Sequence, residues 1–376
     1  MTTETLLFDG DHWEKEKQKN LNDADIVFIF GDRETMKQSD IYAPLLELYP
    51  NATLTGSSSS GNILGESLRD EKLVATAIKF DSSHVKVVHE DFKEEDDISH
   101  IGNQLVDKLS KEGLKHVFIL SDGLTINGSD LAKGANQVLG SSVSVTGGLA
   151  GDGTDFAETV VMTQNNAKSH RIVAVGFYGE SLTIESGCYA GWDEFGVLRK
   201  ITKSKDNILY EIDDKPALEL YKRYLGEHAK NLPSSALDFP MSIKSSKESQ
   251  AIIRTVLAVD EESQSLIFAG DVPEGYYARL MKTNIDGLID GAETAANQIK
   301  PINDKEALGL VVSCVGRHLV LKQLTDEELE SVQDALGEHV QLIGFYSFGE
   351  LAPFSDELQN CHLHNQTMTL TVIYED

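Results

Sequence analysis

Lys115–Gly153 reads KHVFILSDGLTINGSDLAKGANQVLGSSVSVTGGLAGDG, and the order of its parts decides the fold class. KHVFILSDG (115–123) is a continuous apolar run that stops at a glycine turn, the pattern of a strand buried on both faces. SDLAKGANQVLG (129–140) has helical spacing, with Ser129 as a cap and Gly140 as a stop. SSVSVTGGLAGDG (141–153) returns to a strand and enters a glycine loop. Strand, helix and strand in such close succession predict an α/β fold.

The flanking sequence continues the pattern. DIVFIF (25–30) is a second buried strand, and SDIYAPLLELY (39–49) is helical with Ser39 placed to cap it. NATLTGSSSSGNILG (51–65) begins as a strand and opens into a loop of small residues. LVATAIKF (73–80) and HVKVVHEDF (84–92) read as a hairpin around Asp81, Ser82 and Ser83. DDISHIGNQLVDKLSKEG (96–113) is an amphipathic helix ending at Gly113. RIVAVGFYG (171–179) and SLTIESGCY (181–189) are further strands, and polar residues 1–24 form a helix or an arm.

The C-terminal part repeats the order. A hairpin (252–270), a helix (285–299), the buried strand ALGLVVSCVGR (307–317) and a helix (325–338) with Thr325 and Glu328 in capping-box spacing come first. VQLIGFYSFGELAPF (340–354) then runs from a strand into a glycine-bearing loop, and MTLTVIYE closes the chain. The expectation is two similar α/β halves, 25–190 and 191–376, with mixed β-sheets flanked by helices. SVTGGLAGDG and IGFYSFGELAPF are corresponding loops in that scheme. Between the halves lie a strand, ILYEID, and the helix PALELYKRYLG, with Pro216 near its first turn.

Composition bounds the function. Lys and Arg number 33 against 61 Asp and Glu, a formal net charge of -28 that repels nucleic acid and anionic membranes. Three scattered cysteines, Cys188, Cys314 and Cys361, argue against a disulfide framework and for a reducing cytoplasm. No apolar run approaches the ~20 residues that span a bilayer. The first residues lack the basic start and apolar stretch of a signal peptide.

Several segments carry polar groups next to strand ends. Gly147, Gly148 and Gly151 in GGLAGDG bring backbone N–H groups within reach of an anion, with Asp152 placed to take an amine; the alternative is a tight connection between strands. SSSSGNILG (57–65) offers hydroxyls to a polar pocket or is a solvated loop. In SCVGRH (313–318), Arg317 suits a ligand carboxylate or Glu350, and Cys314 reads as a small buried apolar residue. Ser347 in FYSFGE is not a nucleophile elbow, because Phe345 stands where glycine is needed. Glu350 and Pro353 instead shape a pocket wall. In CHLHN, His362 and His364 share one face of a strand, a spacing open to metal or haem ligation or to hydrogen-bonded closure of a pocket, with Asn365 beside them. Among sequence neighbours no CxxC completes a zinc site. His318 is a further axial candidate.

Four segments in this order, GGLAGDG, IDDKPALELYKRYLG, SCVGR and GFYSFGELAPF with LHNQT, resemble the FIST proteins over residues 25 to 373. The resemblance implies an N-terminal and a C-terminal FIST domain and a sensory, non-enzymatic module. It implies small ligands such as amino acids and output through a separate histidine kinase or cyclic-dinucleotide enzyme. It also brings in haem, since one subgroup is haem-containing and senses nitric oxide. The expected ligand residues are Gly147, Gly148, Gly151, Asp152, Arg317, Ser347, Glu350, His364 and Asn365, with His318, His362 and His364 as haem-ligand candidates. The rival reading is an enzyme that uses Cys314, Arg317, Glu350 and His364 together.

Overall fold

A computed structural model describes residues 1–17, 19, 21–139, 143–300, 305–354 and 357–376. Strand Leu114–Ser121, helix Gly128–Val138 and strand Ser144–Leu149 form a parallel strand–helix–strand unit, with Gly147 opposite Ile119. Arg171–Tyr178 lies antiparallel on the other side of Leu114–Ser121, and His84–Asp91 lies outside that. The same spatial order recurs twice. Thr53–Ser58, Ile26–Gly31, Leu73–Lys79 and Thr2–Phe8 build it at the N-terminus. Val340–Ser347, Ala307–Cys314, Met368–Glu375 and Leu182–Tyr189 build it at the C-terminus. The fold is α/β, with mixed sheets flanked by helices, and the repeat suggested by element order resolves into three units.

Each unit is completed by another. After its second parallel strand the chain leaves its own sheet and adds a short strand to a different one. Asn62–Leu64 pairs with Val340–Ser347, Val161–Thr163 with Thr53–Ser58, and Gly349–Phe354 with Ser144–Leu149. The exchange runs in a cycle: first unit to third, second to first, third to second.

Strand periodicity places the core. Alternate residues of each central strand point inward, where Phe28 and Phe30, Phe118 and Leu120, and Leu310, Val312 and Phe345 meet in one apolar cluster. Phe30 stacks on Phe345 with centroids 4.8 Å apart, and Phe28 meets Phe118 edge-on at 5.9 Å. The intervening residues, such as Ile119, Ile29 and Val311, face outward and are covered by helices. This is why these strands are apolar throughout rather than alternating.

The repeat has a residue-level mark. Gly56, Gly147 and Gly344 occupy the same register in the three units, opposite Ile29, Ile119 and Val311. A Cβ there would stand 1.7, 1.9 and 1.8 Å from the carbonyl oxygen of that neighbour. Only glycine allows the second strand to lie so close to the first. The segments LTGSS, VTGGL and LIGFY therefore correspond. The expected equivalence of the loops after Gly147 and Gly344 holds, with the serine loop 57–61 as the third member.

A fourth sheet is inserted in the third unit, between Leu182–Tyr189 and helix Ile285–Asn297. Its strands run from Asp193 to Lys282 and enclose a separate core that includes Leu209, Leu218, Tyr221, Ile243 and Phe268.

Several local expectations are corrected. In place of the helix or arm expected over 1–24, Thr2–Phe8 and Trp13–Lys17 are paired strands. Leu73–Lys79 and His84–Asp91 are strands but not a hairpin, since each joins a different sheet. The buried strand at 307 ends at Cys314, and Val315–Leu321 is helical. Asn127, not Ser129, caps helix Gly128–Val138, its side-chain oxygen accepting from Ser129 N at 2.9 Å. The capping box does not form; Thr325 donates to the Lys322 carbonyl and Glu328 is drawn into a buried ion pair. Residues 39–42 form a 3-10 turn before helix Ala43–Leu48, with no side-chain cap from Ser39. The helix expected over 96–113 stops at Asp107. Gly140 lies outside the described residues.

Candidate functional site

Where the second unit, the third unit and the inserted sheet meet, they enclose a cavity of about 390 Å3. Three segments build its walls. The first follows strand Leu114–Ser121. Asp122 folds it, its Oδ1 accepting from Leu124 N at 2.9 Å, Thr125 N at 3.1 Å and Thr159 Oγ1 at 3.0 Å. That brings Leu124, Thr125 and Ile126 to the cavity. The second is the corresponding strand end of the third unit, where Cys314, Val315, Gly316 and Leu319 line it. The third comes from the inserted sheet, with Thr255, Leu257 and Phe268.

Among the described residues, the lining holds no Asp, Glu, Lys, Arg or His. It does hold polar atoms that are buried and lack hydrogen-bond partners: Thr125 Oγ1, Thr255 Oγ1, and both Oε1 and Nε2 of Gln366. An unmet buried donor or acceptor costs about 1–3 kcal/mol, so these four sealed atoms in residues that line one cavity hold unused hydrogen-bonding capacity beside it. Gln366 adopts a left-handed backbone (φ 62°) and its amide lies against Gly316, where a Cβ would come within 2.4 Å of Nε2. The mouth is rimmed by apolar side chains left in solvent: Leu124 is 37%, Leu257 51% and Phe156 52% exposed. Phe156 stacks on Phe348 at 4.8 Å. Exposed apolar residues gathered at one opening are a mark of a binding site.

Of the residues singled out in the sequence, Cys314 reaches the lining, and the expected ligand residues lie around the cavity. Asp152 does not face a ligand amine. It accepts from the backbone N–H groups of Phe156, Ala157 and Glu158 and from Arg33 Nη1 at 2.7 Å, folding the loop that carries Phe156 to the rim. Gly147, as described, permits strand contact. Gly148 faces the central core, where a Cβ would meet Val312 at 2.5 Å, and Gly151 abuts Ser60. These glycines serve close packing, not an anion cradle.

Arg317 is fully buried, and its guanidinium is committed to Glu328 Oε2 at 2.8 Å and to the carbonyls of Ala190 and Leu288 at 2.6 and 2.7 Å. It pairs with Glu328 rather than Glu350, and four of its five N–H donors are taken. Glu350 is also fully buried. Ser347 Oγ donates to its Oε1 at 2.7 Å, and Thr367 N and Oγ1 donate to its Oε2 at 3.1 and 2.8 Å. Burial pushes its carboxyl up to about 7, against the opposing pull of those hydrogen bonds and of Arg317.

His364 is buried with Nε2 3.1 Å from the Ala352 carbonyl, and burial, with His362 and Arg254 nearby, pushes it down to about 3. Asn365 accepts from Thr255 N at 3.4 Å and so steadies one wall of the cavity. Cys314 alone of the rival catalytic set reaches the cavity; burial pushes its thiol pKa well up, and no histidine among the described residues shares the lining. Glu350 and His364 are cross-strand neighbours, and Cys314 feels the charges of Glu350 and Arg317, but among the described residues no hydrogen bond joins any two of these four.

A haem does not fit this cavity. Among the described residues the cavity has no histidine for an axial bond and no cation for propionates. His318 Nδ1 lies 3.0 Å from Thr325 Oγ1, and His362 lines a separate, broader groove of about 710 Å3 beside Phe354, which also holds Lys133 and Arg254. His362 and His364 stand with ring centroids 6.4 Å apart, and no group of three or more potential metal ligands forms among the described residues.

The sequence reading missed Thr125, Thr255 and Gln366. Phe348 and Gln366, from the segments GFYSFGELAPF and LHNQT, line the cavity, whereas Glu350 and Pro353, expected to shape a pocket wall, do not. Thr125 and Thr255 sit in segments with no distinguishing pattern.

Fold and cavity together define an α/β protein with an uncharged cavity that opens at one mouth. The models for the FIST N domain and the FIST C domain match residues 25–215 and 217–353, so the chain belongs to the FIST family. FIST domains are signalling-associated sensory domains that bind small ligands. An uncharacterized protein of Methanocaldococcus jannaschii is 24% identical over 368 residues, spanning 91% of this chain and 69% of that protein. Among solved structures, the cyanuric acid hydrolase of A. caulinodans aligns with 94% of this chain and 90% of its own, at 9% identity and a TM-score of 0.33. A likeness that weak supports no argument about activity. No helix among the described residues is long and apolar enough to cross a membrane.

Proposed function

We propose that this chain is a cytoplasmic sensory module that takes a small molecule into the cavity between the second unit, the third unit and the inserted sheet. It reports occupancy to a separate signalling protein, of the histidine-kinase or cyclic-dinucleotide-enzyme class. The observation that carries this reading is the set of partnerless buried atoms of Thr125, Thr255 and Gln366 beneath an exposed apolar rim. The walls belong to different parts of the fold, so a ligand that touches all of them favours one relative placement. That differential contact is what a population shift requires. The inserted sheet is tied to the units by few polar contacts near the cavity. These include Asn127 Nδ2 to Asp271 Oδ1 at 2.6 Å and Arg254 Nη1 to the Leu363 carbonyl at 2.8 Å. Its outer surface is the one whose placement a partner would read.

A thermal-shift screen on the wild type and on Thr125→Trp, which fills the cavity, tests the site. A ligand at a hundredfold its Kd stabilises the native state by about 2.7 kcal/mol. Compounds that stabilise the wild type are expected to lose their effect in Thr125→Trp. Equal stabilisation of both proteins rejects this cavity as the site.

A further inference from the structure

The lining says more than that a ligand binds; this step rests on the functional reading above. We infer that the ligand is an uncharged molecule with adjacent N–H and C=O groups, a primary amide or lactam, on an apolar body. Charge is excluded by desolvation. A carboxylate or ammonium brought into a site without a counter-charge loses several kcal/mol of hydration and gains no ion pair. Among the described residues the cavity has no charged side chain to offer one. Zwitterionic amino acids are therefore poor occupants.

The head group is read from Gln366. Its side chain is sealed from solvent, at 0% exposure, and both Oε1 and Nε2 lack partners, so a guest reaches them when the amide turns from Gly316 into the cavity. Whichever way that amide is turned, it presents one acceptor and a donor side by side. A ligand whose own acceptor and donor are adjacent satisfies both at once, as two amides pair. An ether, an ester or a hydrocarbon leaves at least one unmet, and an unpaired polar atom in a dry site is what gives such sites their selectivity. The hydroxyls of Thr125 and Thr255 supply further donors or acceptors for the head. The body of the ligand lies among Leu149, Val315, Leu319 and Phe268. Its outer end meets Leu124 and Phe156. A volume of about 390 Å3 suits a molecule of one ring with a short substituent.

The test uses the full chain and five probes: ε-caprolactam, benzamide, benzoate, benzylamine and phenylalanine. Leu257→Trp places a fluorescent reporter on the exposed rim, so occupancy of this cavity is read apart from overall stabilisation. The lactam and the amide are expected to raise Tm and change the fluorescence of the introduced reporter at concentrations at least tenfold below those the charged probes need. Gln366→Met and Thr125→Val are each expected to weaken benzamide at least fivefold; should the Gln366 variant not fold, Thr125→Val decides.

If benzoate, benzylamine or phenylalanine binds as well as benzamide and moves the reporter, the ligand class is wrong and the site stands. If a probe stabilises the protein without moving the reporter, the site falls and the ligand class with it. A panel that neither stabilises nor moves the reporter overturns the assigned class. Unchanged benzamide affinity in the folded variants overturns the assigned head-group contacts.

Discussion

Glu350 shows what burial does to a single side chain. Its carboxyl is pushed from an ordinary value of 4.5 to about 7 by desolvation, so the folded protein holds a proton there that the unfolded chain releases. Stability falls with rising pH wherever the native state binds more protons. The contribution of this group is fully present below pH 4.5 and is lost as pH rises through about 7. At most, a shift of this size is worth on the order of 3 kcal/mol. Glu350→Gln keeps the hydrogen bonds, because the new carbonyl faces Thr367 and the amide donates to Ser347. Chemical denaturation of both proteins from pH 4.5 to 8 is expected to show the variant gaining on the wild type as pH rises. Parallel curves would reject the buried-proton account.

Arg317 makes a different point at the same scale. From sequence an Arg at a strand end suits a ligand carboxylate, and nothing local says that Glu328 will claim it first. Capping-box spacing assigns Glu328 to the start of its own helix; the structure instead commits it to Arg317 and to Tyr346, whose hydroxyl donates to it at 2.6 Å. Removing one member of a buried ion pair costs roughly 3–5 kcal/mol. Arg317→Met is expected to lower the urea midpoint by a corresponding amount, and Arg317→Met with Glu328→Met to recover part of it. Benzamide or caprolactam affinity, measured in the folded fraction, should stay within twofold. A large loss of affinity with little loss of stability would return Arg317 to the ligand site.

At the scale of elements, helices Ile98–Asp107 and Gly128–Val138 cross through two glycines. A Cβ on Gly134 would stand 2.0 Å from the Ser99 carbonyl oxygen, and one on Gly102 2.9 Å from that of Leu131. Helix propensity alone makes Gly→Ala stabilising by about 1 kcal/mol. Overpacking a close backbone contact costs about 1–3 kcal/mol, and here the clash is with main chain that cannot rotate away. Gly134→Ala is expected to lower Tm, and a raised Tm would show that the helices separate freely.

Elements were also where the sequence read best and its partners read worst. The apolar runs at 25–30, 115–123 and 307–317 marked the central strands Ile26–Gly31, Leu114–Ser121 and Ala307–Cys314, with ends up to three residues off, because burial on both faces leaves an unbroken signal. Pairing left no such signal. Leu73–Lys79 and His84–Asp91, and likewise Arg171–Tyr178 and Leu182–Tyr189, are joined by tight turns yet belong to different sheets. A turn residue pattern reports that the chain reverses, not that the two strands bond to each other. The cavity escaped for a related reason. Thr125, Thr255 and Gln366 come from three distant segments, and their meaning lies in a missing partner, which only assembled structure can reveal.

The whole molecule is held by exchange among its units. Asn62–Leu64, from the N-terminal part, completes the sheet of Val340–Ser347, and Gly349–Phe354, from the C-terminal part, completes the sheet of Ser144–Leu149. Leu182–Tyr189 pairs along its full length with Met368–Glu375. A cut after residue 191 therefore leaves each fragment with open sheet edges, and divides the central cluster in which Phe30 and Phe345 stack. Unpaired edges and an exposed apolar face lead to aggregation rather than to two independent domains. Fragments 1–191 and 192–376 expressed separately are expected to be insoluble or to lack a cooperative thermal transition. Produced together, they should assemble into a complex that unfolds in one transition, because each supplies the strands the other needs. A fragment that alone shows a sharp transition and native-like amide-exchange protection in its central strands would show that the exchanged strands are dispensable. The cavity, whose walls come from both sides of the cut, is expected to bind its ligand only in the reassembled pair.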